Sequence, residues 1–513
     1  MISIGGVIGT GLFVGTADSL SQGGPIGLLL GYIVMGSIVY CVMITLGEMI
    51  SYLPIPGGPI KLAERFVDPA FSFAVGWNYW YSWTITSPAE FSAAVVLINF
   101  WNPSVNNSVW VVICIVVVLA INMLGAGAYG EAEFIFASIK VITITSLIII
   151  GIVIDLGGGP NHDRIGFRYW KNPGPFVQYN GIEGAKGQFL GFWAVLMQAA
   201  FSFLGTEIVA IAAGEAKNPR RNLPKAIRRV YIRILLFYIG GTFIIGLLVP
   251  SNDPSLQLAH DTAAKSPFVI AIEKAGIKSL PSIINACLLT SAWSAASSDL
   301  YTASRAICAY TYLAVNSSKS TIFVDGLAIS GNAPKFFLKT SRNGLPYVAI
   351  LFSASFSLLT FMAVSNNAGS VFIWFSNMTS VAGLMTWFGI SVTYLRFYKG
   401  MQAQGIDRTK FPYYTNLQPY AAWWGAVSTV TICFFSGWNV FLKGEWSIAT
   451  FITNYILFIT WPIMYFGARF YYGTKPVAPE DMDFKTDIAE ILADMYDDPP
   501  PKSKLEAFLQ WLL

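Results

Sequence analysis

Glu90, Lys140 and Glu207 stand deep within apolar stretches of this sequence, where a bare charge costs at least a few kcal/mol at a bilayer centre. Each is therefore a candidate for chemistry. Lys140 is the only clear lysine or arginine at such depth. It sits about eight residues into its stretch, roughly 12 Å at 1.5 Å per residue. From there its ammonium could reach backbone carbonyls around Gly5 and Gly6, and its protonation could lock and release that segment. A static tether or a snorkelling side chain is the competing account. Glu207 could carry a proton or hold unwound backbone, or serve only as a buried acceptor. Glu90 could face a ligand, with buried pairing the alternative. Glu48, Asp299 and Arg305 read as structural.

The backbone offers a second kind of chemistry. "IGGVIGTGLF", Ile4 to Phe13, places Gly5, Gly6, Gly9 and Gly11 within seven residues. Each glycine costs a helix roughly 1 kcal/mol against alanine. "QAAFSFLGTEIVAIAAGE" repeats the theme, its Leu204-Gly205-Thr206-Glu207 echoing Ile8-Gly9-Thr10-Gly11. Unwound backbone survives in lipid only where it lines a cavity. Two interrupted helices at equivalent places in two halves point to a transporter site near the midplane. Free amides at a half-helix N-terminus attract a carboxylate, and opposed free carbonyls attract an ammonium. Both together suit a zwitterion. Close helix packing through small residues is the alternative, and it suffices for Gly27 and Gly31.

The elements that must hold these residues follow from composition. The 513 residues are 54% hydrophobic and 12% charged, with net charge +4 and mean hydropathy +0.56. Soluble chains carry about 25% charged residues. Twelve spans are expected, at 2–21, 25–50, 72–100, 108–127, 132–155, 188–213, 231–250, 280–312, 346–364, 369–398, 421–442 and 447–470. The fold class is all-α and polytopic, with residues 1–470 forming the transmembrane domain and 471–513 a tail. Lys217, Arg220, Arg221, Lys225, Arg228, Arg229 and Arg233 crowd one loop, and Lys319, Lys335, Lys339, Arg396, Lys399, Arg408 and Lys410 fall in others on that side. By the positive-inside rule both termini are cytoplasmic. The tail is expected to hold an amphipathic helix around Phe484–Met495 and to be where cytoplasmic regulators act. Met1 lies so close to the first span that a longer leader is expected upstream.

Several classes are disfavoured. The five cysteines lie in apolar runs without paired spacing, and His162 and His260 lie in polar loops, so neither a metal site nor an enzyme's nucleophile–base pair is expected. No cofactor is implied. The basic loop sits between spans, which argues against nucleic acid. Asn106-Asn107-Ser108 is a glycosylation sequon close to the membrane, and no cleavable signal peptide is visible.

The ordered motifs "GGVIGTGLFVG", "GGPIGLLLGYIVMGSIVYCVMITLGEM", "YGEAEFIFASIKV", "FSFLGTEIVAIAAGEAKNPRRNLPKAI" and "TSAWSAASSDLYTASRAI" resemble those of fungal amino-acid permeases of the amino acid–polyamine–organocation superfamily. The resemblance covers nearly the whole chain. It implies a five-plus-five inverted-repeat fold with helices one and six broken, plus two extra helices. It implies proton-driven amino-acid uptake at the plasma membrane. By similarity, the amides of Gly9, Thr10 and Gly11 hold the substrate carboxylate. Carbonyls at Val7, Phe201, Ser202 and Leu204 hold its ammonium, Phe203 closes over it, and Lys140 replaces a sodium ion near Ser294, Ser297 and Ser298. The stretch "LGGGPNHDRIGFRYWKNPGPF" looks most like the dicarboxylic amino-acid permeases, which suggests acidic or broad-range substrates. An acidic side chain would, however, want a cation in its subpocket, and only neutral donors such as Thr10, Ser202 or Asn377 are at hand. A non-transporting amino-acid sensor on the same fold is the alternative function.

Overall fold

The structure, a computed structural model, describes residues 9–55, 57–101, 104–208, 227, 231–232, 234–257, 266–308, 327–328, 331–341 and 344–488. Val7, Gly5, Gly6 and most of the basic loop after the sixth span lie outside the described residues. The described chain is helical, with no strand among the described residues.

A π-helical turn, Gly11–Gly15, leads into α1 (Thr16–Tyr52). The first two expected spans meet at Gly24-Pro25, where Gly24 (φ +72°, ψ 175°) leaves helical geometry, so α1 is two helices joined at that break. An amphipathic helix α2 (Gly58–Phe66) follows, absent from the span pattern because it is short and lies at one end of the bundle. Its apolar face buries Leu62, Ala63 and Phe66, while Lys61 pairs with Glu64 at 3.1 Å.

Several of the remaining long helices begin at a capping side chain. Asp68 accepts the Phe71 amide (2.7 Å) before α3 (Pro69–Asn99), with proline at its first position. Asn106 accepts the Ser108 amide (2.9 Å) before α4 (Asn107–Met123), so the sequon asparagine serves as a cap. Then come α5 (Ala126–Asp155), α6 (Gly184–Phe203) and a π-helical turn, Ile234–Ile239, before α7 (Gly240–Leu248). Next are α8 (Pro267–Lys274), α9 (Leu280–Cys308), α10 (Tyr347–Ser355), α11 (Ala368–Ala403), α12 (Tyr420–Phe434) and α13 (Ile448–Tyr472). Five described helical stretches pass a strict length-and-hydropathy test for crossing a membrane. Asn107–Met123 and Ile234–Leu248 are apolar but shorter.

α3 is the central strut, packed against α9, α11, α13 and α2, and α1 lies along α6. With lipid as solvent, apolar burial adds little between helices, so polar side chains fix their register. Asn78 on α3 donates to the Ala382 carbonyl (2.8 Å) and the Thr386 hydroxyl (2.9 Å) on α11. Asn285 on α9 donates to the Leu97 carbonyl (2.7 Å). Gln198 on α6 donates to Ser376 (3.1 Å), and Ser380 returns a bond to the Met197 carbonyl (2.8 Å).

After α13 the chain crosses the end of the bundle as a strap. The Val477 amide bonds the Val67 carbonyl (2.8 Å), and Gln404 donates to the carbonyls of Pro479 (3.1 Å) and Met482 (2.7 Å). Phe484, expected to open an amphipathic helix, is instead buried in a turn. Its ring lies 5.1 Å from Phe66 and 5.3 Å from Phe397. The rest of that expected helix, beyond residue 488, lies outside the described residues.

Candidate substrate site at two interrupted helices

Helix α6 stops at Phe203. Leu204 turns away (φ −57°, ψ 148°) and Gly205 takes φ +84°, a left-handed conformation that glycine enters without a Cβ penalty. Residues 204–207 form a turn before the chain becomes helical again at Ile208. On the other side, Gly9 is non-helical and Thr10 begins the helical path that continues through Gly11. The N-terminal end of one half-helix thus faces the C-terminal end of another. The two approach closely: a Cβ on Gly11 would lie 2.7 Å from the Ser202 Cα and 2.9 Å from the Phe201 ring.

Gly9, Gly11, Phe201, Ser202, Leu204 and Glu207 line one cavity, joined by Ser82, Trp83, Thr86 and Glu90 of α3 and Ala295 and Asp299 of α9. Its volume is about 30 Å³, room for a water molecule and not for an amino acid. The site is therefore closed. Thr10 is fully buried beside it, its amide making a long hydrogen bond to the Glu90 carboxylate (3.4 Å). A carboxylate thus already occupies the half-helix N-terminus, and it belongs to the protein. Ser202 is held by the Tyr32 hydroxyl (2.6 Å) and donates to the Gln198 carbonyl (3.0 Å). Glu207 accepts from the Trp387 indole (3.2 Å).

Phe203 does not line the cavity. It points away, fully buried, with its ring stacked on Tyr238 at 4.4 Å and near Tyr32 at 5.8 Å. Phe201 and Trp83 are the aromatic walls. Helical spacing explains this: residues two apart on a helix lie on opposite sides, so only one of the two phenylalanines can face in.

Lys140 is buried, and its charged neighbours are Glu133, Glu90 and Asp299. Glu133, one residue type the span pattern passed over, lies two turns before Lys140 on α5. It accepts from Ser294 of α9 (2.8 Å). Ser297 accepts from Asn122 (3.1 Å) and Ser298 from Tyr129 (3.0 Å). The carbonyls expected around Gly5 and Gly6 lie outside the described residues. Glu48 is fully buried, paired with Arg408 and accepting from Tyr394 (2.8 Å), and Arg305 lies 3.1 Å over the Tyr301 ring. Asp299, read as structural, lines the cavity.

Opposed helix ends, a buried carboxylate and aromatic walls meet at this cavity, and comparison with known proteins gives the family of the chain that carries it. Over its full length the chain is 41% identical to the proline-specific permease of Emericella nidulans, covering 91% of that protein. It is 41% identical to the dicarboxylic amino acid permease of Saccharomyces cerevisiae, over 95% of this chain and 78% of that one. It is 40% identical to the lysine-specific permease of the same yeast, over 99% and 80%. A manganese transporter from Eremococcus coleocola shares the fold alone, with TM-score 0.53, 14% identity and 92% coverage of both chains. The family described as amino acid permease matches residues 1–478, and the chain belongs to that family of integral membrane proteins.

Proposed function

We propose that this protein takes up amino acids across the plasma membrane by proton symport and alternating access, with both termini in the cytoplasm. The observation that carries the reading is the Thr10 amide turned to Glu90 beside the α6 break. An incoming substrate carboxylate would replace Glu90 at that amide, favoured there by the half-helix dipole. The freed Glu90 would then need either the substrate ammonium or a proton. Lys140 and Glu207 are the other groups placed to couple protonation to movement of the two breaks.

The lining bears on the side chain of the substrate. Glu90, Glu207 and Asp299 contribute carboxyl groups, and no lysine or arginine lines the cavity among the described residues. That supports neutral or cationic amino acids over glutamate and aspartate, despite the similarity to a dicarboxylic permease. The test is uptake of labelled amino acid by cells lacking their own permeases, competed with a full amino-acid panel at two external pH values. Uptake should rise at the lower pH, acidic amino acids should compete poorly, and Lys140→Ala should flatten the pH dependence at normal surface level. Binding without accumulation would replace transport by sensing. Strong competition by glutamate would overturn the substrate reading, and an unchanged pH profile in the variant would remove Lys140 from coupling.

A further inference from the structure

A second cavity lies in the groove between α11 and α12, shares no lining residue with the cavity at the breaks, and has a volume of about 590 Å³. Its long wall is Phe388, Val392 and Leu395 on α11 against Val427 and Val430 on α12. Its mouth is different: Arg396, Lys399 and Gln402 gather there with Trp423. Phe388 to Gln402 is fourteen helical rises, roughly 21 Å along a helix, so the groove runs from an apolar depth to a basic, aromatic rim. Trp423 is 55% exposed and Tyr420 beside it 78%, the placement expected of side chains at a membrane–water interface.

The rim carries charge that the protein does not neutralise. Lys399 is exposed and makes no ion pair among the described residues. Arg396 donates to the Val477 carbonyl of the strap, but its Nε is buried with no hydrogen-bond partner. An acyl-shaped slot ending at two cations calls for an amphiphile with an anionic head.

We infer that this groove binds one anionic phospholipid, its acyl chain lying between α11 and α12 and its phosphate held by Arg396 and Lys399. Basic pockets between transmembrane helices bind acidic headgroups by this chemistry. Because Arg396 also holds Val477, an occupied groove shares a residue with the strap. The site is separate from the substrate cavity, so its test does not depend on transport.

The experiment is native mass spectrometry of the full chain, stripped of lipid in detergent, with phosphatidylserine or phosphatidylcholine of identical acyl chains added back. One phosphatidylserine should bind well ahead of phosphatidylcholine. Lys399→Gln, at an exposed residue, should weaken phosphatidylserine about fivefold, the loss expected for one surface cation. Val427→Trp, which fills the slot without changing charge, should remove the bound lipid of either kind. Equal binding of the two lipids, or an unchanged preference in Lys399→Gln, would overturn the proposal. A dimer that disappears in Val427→Trp would overturn it in favour of a second copy of this chain.

Discussion

At the scale of single residues, the closed site rests on how tightly the two breaks meet. Gly11 has backbone and side-chain atoms of Ser202 within 2.8 Å of where a Cβ would stand. Gly11→Val must therefore push the α1 and α6 breaks apart, and no flexible side chain can absorb the strain. Uptake normalised to surface protein should fall at least tenfold, and near-normal uptake would show that the breaks do not form the site. The glycine cluster made Gly9, Thr10 and Gly11 legible in the sequence, because four glycines exceed what one packing face needs. The occupant of their amides was not legible. Glu90 comes from α3, eighty positions away from Thr10, and no local spacing brings the two together. The choice between Phe201 and Phe203 depends on the rotation of α6 about its axis, which is set by Tyr32 and Tyr238 on other elements. Glu133 could have been found earlier, since it shares a helix with Lys140 at a seven-residue spacing that returns to the same face.

At the scale of elements, apolar run length placed most described helix ends within about six residues of the expected limits, but α12 ends at Phe434 where the expected span ran to 442. The break at Gly24 falls in the gap left between the first two expected spans, whereas the runs gave no sign of α2. The tail is the clearest case. The amphipathic helix expected around Phe484–Met495 lies mostly outside the described residues, and before it Met482 and Phe484 are drawn into the bundle. There they pack over Gly400, where any Cβ would meet the Met482 sulfur at 2.3 Å. Tertiary burial outweighs helix propensity here. Arg65 completes the latch, bonding the Asp483 carbonyl at 2.6 Å and the Asp487 carboxylate at 2.9 Å. Phe484→Ala removes an aromatic anchor, a loss of about 3–5 kcal/mol where such rings are buried. It should free the strap and speed tryptic cleavage at Lys485, while the bundle unfolds near its normal temperature. Equal cleavage rates would mean the strap is held by its hydrogen bonds alone. Burial pushes the Asp483 carboxyl upward, but the Thr486 and Lys485 amides and Arg65 outweigh it and hold the carboxyl below its ordinary range. A depressed pKa gives stability that is complete above the ordinary value of about 3.9 and lost only on acidification below it. The wild-type cleavage rate should accordingly stay flat from about pH 5 to pH 8 once corrected for the protease.

At the scale of the whole molecule, the strap and the helix directions define two faces that chemistry can tell apart. The strap binds Val67 at the start of α3, so α3, α4 and α5 run away, back and away again from that face. The loop between α5 and α6 must lie on the other face, as the bond from the Ile26 amide to the Pro175 carbonyl (3.0 Å) at the α1 bend requires. Lys399, Lys410 and Lys485 are exposed on the strap face, and Lys171 and Lys186 are exposed on the opposite one. Charge alone discriminates the faces weakly, because the α5–α6 loop also carries Arg164 and Arg168. Arg168, however, is offset by Asp163 at 2.6 Å, whereas Lys399 has no such partner among the described residues. The strap face nonetheless carries more basic residues, among them Arg65, Arg396, Lys399, Arg408, Lys410, Arg469 and Lys485, so the positive-inside rule favours an orientation with the strap inside. An amine reagent that cannot cross membranes, applied to intact cells and read by peptide mass spectrometry, should modify Lys171 and Lys186 and spare Lys399, Lys410 and Lys485. Permeabilised cells should lose that distinction. The reverse pattern in intact cells would turn the molecule over, place the strap and the lipid groove at the outer leaflet, and make the proton-coupled direction of transport the opposite of uptake.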